Sequence, residues 1–180
     1  MKTISCVKIM VQVVVLSALA SAYAVELKLG TAPAEVYFRP GDACTGVIVK
    51  EINKAKAKVL VQAYSFTSED ITAALIRAHQ RGVHVELILD KSNRTAKHGA
   101  GHSAAQAGIR TLIDAAHAIA NNKIMIIDGA RVLTGSFNFT KAAEEKNAEN
   151  LLIIQDTNLA AIYLKNWEKH KEHSERYEVK

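Results

Sequence analysis

The sequence predicts an α/β sandwich, in which helices cover a mixed β-sheet. Segments with the patterns of strands and of helices alternate along the chain. Residues 58–90 predict a strand–helix–strand unit, which pairs its two strands in parallel. Asp128-Gly129 lies between two apolar segments and is a strong signal for an antiparallel hairpin. Because both kinds of pairing are expected in one sheet, the sheet is predicted to be mixed, with helices on its faces.

The first 24 residues have the pattern of a secretory signal peptide. Lys2 and Lys8 give a basic start, an apolar stretch follows, and Ala22-Tyr23-Ala24 supplies an A-x-A cleavage site. The apolar stretch is shorter than the roughly 20 residues that span a membrane. We therefore expect a signal peptide over 1–24, a single domain over 25–180, and a periplasmic or secreted protein with no stable membrane span after cleavage.

Removal of this segment leaves 156 of the 180 residues, which suits one domain with a sizeable core. The segment carries two lysines and no acidic residue, so the net charge falls from +5 to +3. This mild basic bias permits a polyanionic substrate without establishing one. Cys44 is the only cysteine left, so no intrachain disulfide can form, and we expect a buried thiol.

Periodicity and turn signals predict the elements of the first half. These are an extended segment over 25–38 broken near Pro33, a helix over 45–56, a buried strand over 58–66, a helix from Thr67 to about Arg81, and a strand over 84–90. Thr67 and Asp70 form a capping-box start for the second helix. Gly82 is a good signal for its end.

Residues 91–108 predict a loop, because basic residues stand there among Gly, Ser and Ala. It is either a plain surface loop or a basic loop beside the active site, in which case Lys91 and Arg94 contact phosphates. His98 and His102 have no nearby Cys or acidic pair, so no metal site is predicted. The later elements are strands over 109–113, 123–128, 131–136 and 150–155, and helices over 139–146 and from a cap at Asn158 into the tail.

The predicted hairpin carries a group of polar side chains. A loop of either two or four residues puts Asn121, Lys123, Ser136 and Asn138 on one face of the hairpin. A cation, a hydroxyl and carboxamides suit the nonbridging oxygens of a phosphodiester. The group lacks a nucleophile and a proton donor. Spacing alone therefore favours an ordinary hairpin with polar residues.

The same residues match the motif H-x-K-x4-D-x6-G-S-x-N of the phospholipase D superfamily. The matches at every interval are Lys123, Asp128, Gly135, Ser136 and Asn138, and Asn121 occupies the histidine position. Residues 63–67 and 139–150 resemble the small bacterial endonucleases of this family. The chain thus resembles the single-motif, Nuc-like group, which implies a phospholipase D-like sandwich.

The resemblance implies a metal-independent phosphodiesterase without a cofactor, acting as a non-specific endonuclease on DNA or RNA. In the family the motif histidine attacks phosphorus and forms a phosphohistidine, and a second histidine protonates the leaving alcohol. Lys123, Ser136 and Asn138 would hold the phosphate, Glu149 would orient histidine, and Asp128 would be structural at its turn. A single motif implies a twofold homodimer with a shared active site. We expect Trp167 in the core.

Asn121 leaves three accounts open: an engineered replacement, a natural inactive relative, or the use of another histidine. His117 ranks last, because four extended residues separate the two positions by about 13 Å. A carboxamide is a poor nucleophile, so the chain as written is expected to be inactive or impaired. The alternative functions are a non-catalytic phosphate or nucleic-acid binding homologue and a phospholipase D acting on lipid.

Overall fold

Eight strands form one mixed sheet in the part of the chain that the computed structural model describes, residues 25–95 and 99–179. The strands are β1 Ala34–Arg39, β2 Lys58–Ala63, β3 His84–Asp90, β4 Arg110–Asp114, β5 Lys123–Ile127, β6 Arg131–Gly135, β7 Glu149–Gln155 and β8 Glu175–Arg176. The α-helices are α1 Cys44–Lys54, α2 Glu69–Gln80, α3 Ala100–Gln106, α4 Lys141–Glu145 and α5 Thr157–Glu172. The predicted signal peptide, Lys97 and His98 lie outside the described residues.

The order of the strands is β1-β7-β6-β5-β2-β3-β4-β8. The pairs β2–β3 and β3–β4 are parallel, and the remaining pairs are antiparallel. This confirms the predicted mixed sheet and the parallel pairing across α2. Strands β2 and β3 are buried almost throughout, which explains why their sequences are nearly continuous apolar runs.

The two faces of the sheet pack against different helices. Met125 and Ile127 of β5 join a large cluster with buried residues of α1, α2 and α3, whereas Ile124 and Ile126 join a smaller cluster with α5. Trp167 anchors the smaller cluster at 1% exposure, and its Nε1 donates to a backbone carbonyl of β2 at 3.2 Å. The expected core position of Trp167 is therefore confirmed.

Cys44 is buried at the start of α1, as expected. Burial is the main cause that raises the pKa of its thiol, and the nearby Glu144 carboxylate adds to the shift.

The helix α2 begins one residue later than the capping-box pattern predicted. Its N-cap is Ser68, whose hydroxyl accepts a hydrogen bond from the Ile71 amide at 3.4 Å. The prediction of Thr67 as the cap was wrong, because the carbonyl of Phe139 accepts the amides of both Thr67 and Ser68 at 3.0 Å. That contact holds Thr67 in the extended connection after β2. The predicted end is confirmed, since Gly82 follows α2 with a φ of 89°.

The cap predicted for the last helix was also displaced. The carboxylate of Asp156 accepts the Leu159 amide at 2.7 Å, so Asp156 is the N-cap and Asn158 lies inside α5. Since β7 ends at Gln155, Asp156 is the first side chain that can accept from the new helix.

The described parts of segment 91–108, residues 91–95 and 99–108, are mostly helical, which contradicts the predicted loop. Lys91–Thr95 form a 3-10 helix, and α3 follows at Ala100. The small residues that suggested a loop permit close packing instead. A Cβ on Gly101 would lie 2.6 Å from Leu89 Cδ1, so glycine lets α3 approach β3 this closely without displacing the Leu89 side chain.

The hairpin has a register that the sequence analysis did not consider. Met125 pairs with Leu133 and Ile127 with Arg131, so the loop holds three residues rather than two or four. Asp128 and Gly129 both adopt positive φ values, 52° and 62°, which suits a tight turn of this composition. Both predicted registers were wrong, because Ala130 adds one residue between the turn and the paired part of β6.

Asp128 binds the start of the neighbouring strand. Its carboxylate accepts the backbone amides of Lys56, Ala57 and Lys58, at 3.0, 2.8 and 2.9 Å. Burial alone would raise the pKa of Asp128, but these amides hold it below the ordinary value. Asp128 follows the last residue of β5, whereas Lys123 is the first residue of that strand. This separation agrees with the structural role expected for Asp128.

We predict that Asp128→Asn lowers the free energy of unfolding by about 1–3 kcal/mol at pH 7, since it removes charge-assisted hydrogen bonds. Asparagine keeps the size and tolerates positive φ, so the charge is what changes. The folded-state pKa of Asp128 is depressed, so its stabilisation is complete above the unfolded value of about 4 and is lost as pH falls through the folded value. Urea unfolding should show a smaller difference in unfolding free energy between the wild type and Asp128→Asn near pH 3 than at pH 7. An equal difference at the two pH values would contradict the structural role of the Asp128 charge.

Candidate functional site

Several sequence-predicted site residues meet at one edge of the sheet. Lys123 begins β5, Ser136 follows the end of β6, and Glu149 begins β7. Neighbouring antiparallel strands begin and end at the same edge, so these residues are brought together. Lys123 and Glu149 each precede by two positions a residue of the large cluster, Met125 and Leu151, and therefore face the same side of the sheet.

Gly135 brings Ser136 to this side despite the unexpected register. Its φ is 148°, and a Cβ there would clash with the backbone carbonyl oxygen of Asn150. Glycine therefore allows β6 to turn while it lies directly against β7. Ser136 then accepts the Asn150 amide at 3.0 Å and donates its hydroxyl to Glu149 Oε2.

Lys123 is held by the residue at the motif's histidine position. Its Nζ donates to the carbonyl oxygen of Asn121 at 3.1 Å and to the carboxamide Oδ1 of the same residue. The ammonium also lies 5.4 Å from the ring centroid of Tyr64. Burial lowers the pKa of Lys123 from its ordinary value, and the Glu149 carboxylate opposes this shift. The site thus contains a partly desolvated cation beside a hydroxyl.

Glu149 connects the polar groups of the edge. Its Oε2 accepts from Ser136, and its Oε1 accepts from Asn147 Nδ2 at 2.8 Å. The carboxylate therefore fixes the position of the hydroxyl and compensates part of the charge on Lys123. The carboxamide oxygen of Asn138 is buried and accepts no hydrogen bond within residues 25–95 and 99–179. Its backbone carbonyl accepts the Thr140 amide at 2.7 Å.

The two basic residues expected to contact substrate each have a partner within the protein. Lys91 Nζ donates to the backbone carbonyl of His117 at 3.0 Å. Arg94 forms an exposed ion pair with Glu175 at 2.6 Å. The structure does not bring Lys91 or Arg94 into contact with the group around Lys123.

A second polar group, which the sequence analysis missed, lies beyond β3 at the end of β4. Three histidines surround the buried carboxylate of Asp114, and they are His117, His170 and His173. The signal was present in the chain as two pairs spaced by three residues, Asp-x2-His and His-x2-His, but 52 residues separate the pairs. His117 belongs to this group, which agrees with its low rank as a substitute for Asn121.

Comparison with known proteins finds similarity over most of the chain. The family model described as "Cardiolipin synthase, PLD-like domain" matches residues 48–171. A phospholipase D of Rickettsia typhi is 46% identical over 130 residues, covering 72% of this chain and 64% of that protein. A mitochondrial cardiolipin hydrolase of Xenopus laevis is 29% identical over 128 residues, covering 71% and 61%. The chain thus spans less than two thirds of the length of these curated relatives.

Two solved structures have the same fold. The crystal structure of a phospholipase D family member, Nuc from Salmonella typhimurium, matches with a TM-score of 0.77 and 35% identity, over 81% of this chain and 98% of that one. NucT from Helicobacter pylori matches with a TM-score of 0.76 and 25% identity, over 81% and 99%.

The close approach of β6 and β7 at Gly135 leads us to predict that alanine is more destabilising there than at Gly129. Gly129→Ala should cost about 1–2 kcal/mol of unfolding free energy, since its φ is 62° and the added Cβ meets nothing within 4 Å. Gly135→Ala should cost more, because its Cβ must also displace the Asn150 carbonyl. Urea unfolding of both variants measures the difference. Equal losses would show that β7 gives way easily at this point.

Proposed function

The chain belongs to the phospholipase D-like family, and from this premise we propose that it is a phosphodiesterase of the nuclease type, inactive or impaired as written because of Asn121. One observation carries the proposal: Lys123, Ser136 and Glu149 converge at a single sheet edge. A partly desolvated ammonium and a positioned hydroxyl can bind the nonbridging oxygens of a phosphodiester. They stabilise the additional charge that develops as phosphorus is attacked.

The proposed reaction passes through a phosphohistidine, without a metal ion or a cofactor at the reacting phosphorus. One histidine attacks phosphorus and displaces the alcohol, and a second histidine gives that alcohol its proton. The second histidine then takes a proton from water, which attacks the phosphohistidine and releases the product. Asn121 can perform neither role, since a carboxamide is a poor nucleophile and has no useful pKa near neutrality. Its present contact is with Lys123.

Nucleic acid is the substrate class that we favour over lipid. The motif and its flanking residues resemble the small bacterial endonucleases of the Nuc-like group. The similarity to Nuc and NucT extends over 98% and 99% of those chains, whereas the phospholipase D of Rickettsia typhi matches over only 64% of its length. A lipid substrate is the second candidate, favoured by the printed names of the Rickettsia and Xenopus relatives. Among the described residues, no helix has the length and apolar character needed to cross the bilayer.

We also propose export, on the signal-peptide pattern of residues 1–24.

The single motif supports a homodimer with a shared active site. Each chain would supply one set of site residues, and a twofold axis would bring the two sets together. Two exposed apolar side chains lie near the site edge and suit such a contact. Ile119 is two residues before Asn121, Phe38 pairs with Asn150, and each is 57% exposed.

We predict that light scattering at micromolar concentration gives about twice the mass of one chain. The double substitution Phe38→Asp and Ile119→Asp should shift the protein to monomers, because charge replaces the apolar contact. Val25→Asp with Leu29→Asp is the matched control, since both residues are exposed and apolar but lie before β1. A strictly monomeric wild type would eliminate the shared-site proposal.

The decisive test of the proposed chemistry is Asn121→His. We expect phosphodiesterase activity to rise by at least about 100-fold, because histidine supplies a nucleophile on one subunit and an acid on the other. The measurement is nicking of supercoiled plasmid in EDTA. Asn122→His is the position control, since adjacent extended residues point to opposite faces. Lys123→Ala in the active background should abolish the gain.

The same variant separates the alternative functions. RNA, an aryl phosphodiester and phospholipid vesicles are assayed in parallel with plasmid DNA. Cleavage of phospholipid alone would favour the lipid enzyme. A folded, dimeric Asn121→His that cleaves none of these substrates would replace the enzyme proposal with a phosphate or nucleic-acid binding protein.

A further inference from the structure

Asp114, His117, His170 and His173 form a compact group outside the proposed phosphodiester site. Asp114 ends β4 and is fully buried, and His117 follows in the connection to β5. His170 lies in the last turn of α5, and His173 is its C-cap. The sheet order β4-β3-β2-β5 separates this group from Lys123 by three strand spacings, or about 14 Å.

The side-chain atoms of the group converge on one point. One ligand atom from each residue lies within 4.8 Å of each of the others. His170 Nδ1 is 2.7 Å and His117 Nε2 is 3.8 Å from Asp114 Oδ2, and His173 Nε2 is 3.3 Å from Asp114 Oδ1. The imidazole rings are 5.1–5.3 Å apart and tilted or perpendicular rather than stacked.

We propose that these four side chains bind a transition-metal ion of the zinc type. Three imidazole nitrogens and one carboxylate oxygen are a ligand set that Zn²⁺ accepts in tetrahedral geometry. With bonds of about 2.0–2.1 Å, neighbouring ligand atoms of a tetrahedral site lie about 3.3 Å apart. The three distances to the Asp114 oxygens span this value, and no two ligand atoms are more than 4.8 Å apart, so side-chain shifts of about 1 Å would bring the four groups to tetrahedral spacing.

Hydrogen bonding does not account for the whole arrangement. His170 and His173 lie 2.7 and 3.3 Å from Asp114 oxygens, within hydrogen-bond reach, whereas His117 Nε2 is 3.8 Å away and beyond it. Three imidazoles are nevertheless aimed at one buried carboxylate. A central cation bonds to all four groups at once.

Solvent can reach the site from one side. The side chains of His117 and His173 are 45% and 37% exposed, while Asp114 is buried beneath them. An ion can therefore enter over these two histidines and bind the carboxylate below. Imidazole nitrogen favours Zn²⁺, Cu²⁺ or Ni²⁺ over Mg²⁺ and Ca²⁺, which prefer oxygen ligands.

The metal would have a structural role. It would join the C-terminal end of α5 to β4 and to the connection that leads into β5. That connection is already tied to β3, since Lys91 donates to the His117 carbonyl and the Ala120 amide donates to Asp90 Oδ2 at 2.8 Å. Asn121 comes directly after Ala120. The ion would thus restrain the chain just before the proposed active-site strand.

The test is a titration of the untagged, chelator-stripped chain with Zn²⁺ against a chromogenic chelator. We expect one Zn²⁺ per chain with a dissociation constant of micromolar or below, and a rise in the melting temperature, because the metal binds the folded state. Co²⁺ should give the strong visible absorption of four-coordinate N/O ligation. Absence of saturable Zn²⁺ and Co²⁺ binding to the wild type would overturn the proposal.

The cluster variant carries His117→Ala and His173→Ala, the two exposed ligands. We expect its affinity for Zn²⁺ to fall by more than about 100-fold, since loss of an outer-shell partner alone costs 10–100-fold. The matched control carries His79→Ala and His84→Ala, which remove two histidines from α2 and β3. Circular dichroism without metal checks that both variants fold. Unchanged affinity in the cluster variant, or an equal loss in the control, would contradict the assignment.

Discussion

The candidate site depends on how the β5–β6 hairpin is held against β2. At one end, Asp128 binds the backbone amides of residues 56–58; at the other, the Tyr64 amide donates to the Asn122 carbonyl at 2.8 Å. Between them the strands pair from Val59 with Ile127 to Ala63 with Lys123. A slip of one residue would turn Lys123 to the face that α5 covers, because side chains alternate along a strand. The two ends of β5 therefore have different tasks, one fixing register and the other presenting the cation.

A second constraint acts between β6 and β7. Gly135 allows β6 to approach the Asn150 carbonyl so closely that no side chain fits between them. Ser136 is thereby placed where its hydroxyl reaches both Glu149 and the Asn150 amide. Because Glu149 also accepts from Asn147, its negative charge is shared among several donors. The Glu149 carboxylate also acts on Lys123, where it opposes the effect of burial on the pKa of the ammonium.

The histidines of this chain are distributed unusually for the chemistry that its motif implies. Asn121 contacts Lys123, whereas three of the seven histidines gather around Asp114. The two polar groups lie along the same edge of the sheet but on different strands. The proposed phosphodiester site and the proposed metal site therefore use different side chains, although the connection between β4 and β5 leads from one group to the other.

The sequence by itself determined the features that depend on neighbouring residues. The buried strands β2 and β3, the helix between them, the Asp128-Gly129 turn and the spaced motif were all readable, because periodicity and turn conformation are local. The mixed sheet also followed from the strand–helix–strand unit and the hairpin together.

Tertiary structure decided what depends on distant contacts. The three-residue loop accompanies hydrogen bonds that amides some 70 positions earlier donate to Asp128, and α3, in a sequence that predicted a loop, packs Gly101 closely on Leu89. Asp114 and His170 are 56 positions apart, so the histidine group forms only when α5 packs along β4. Local pattern specifies which side chains are available; only the packing of strands and helices specifies which of them meet.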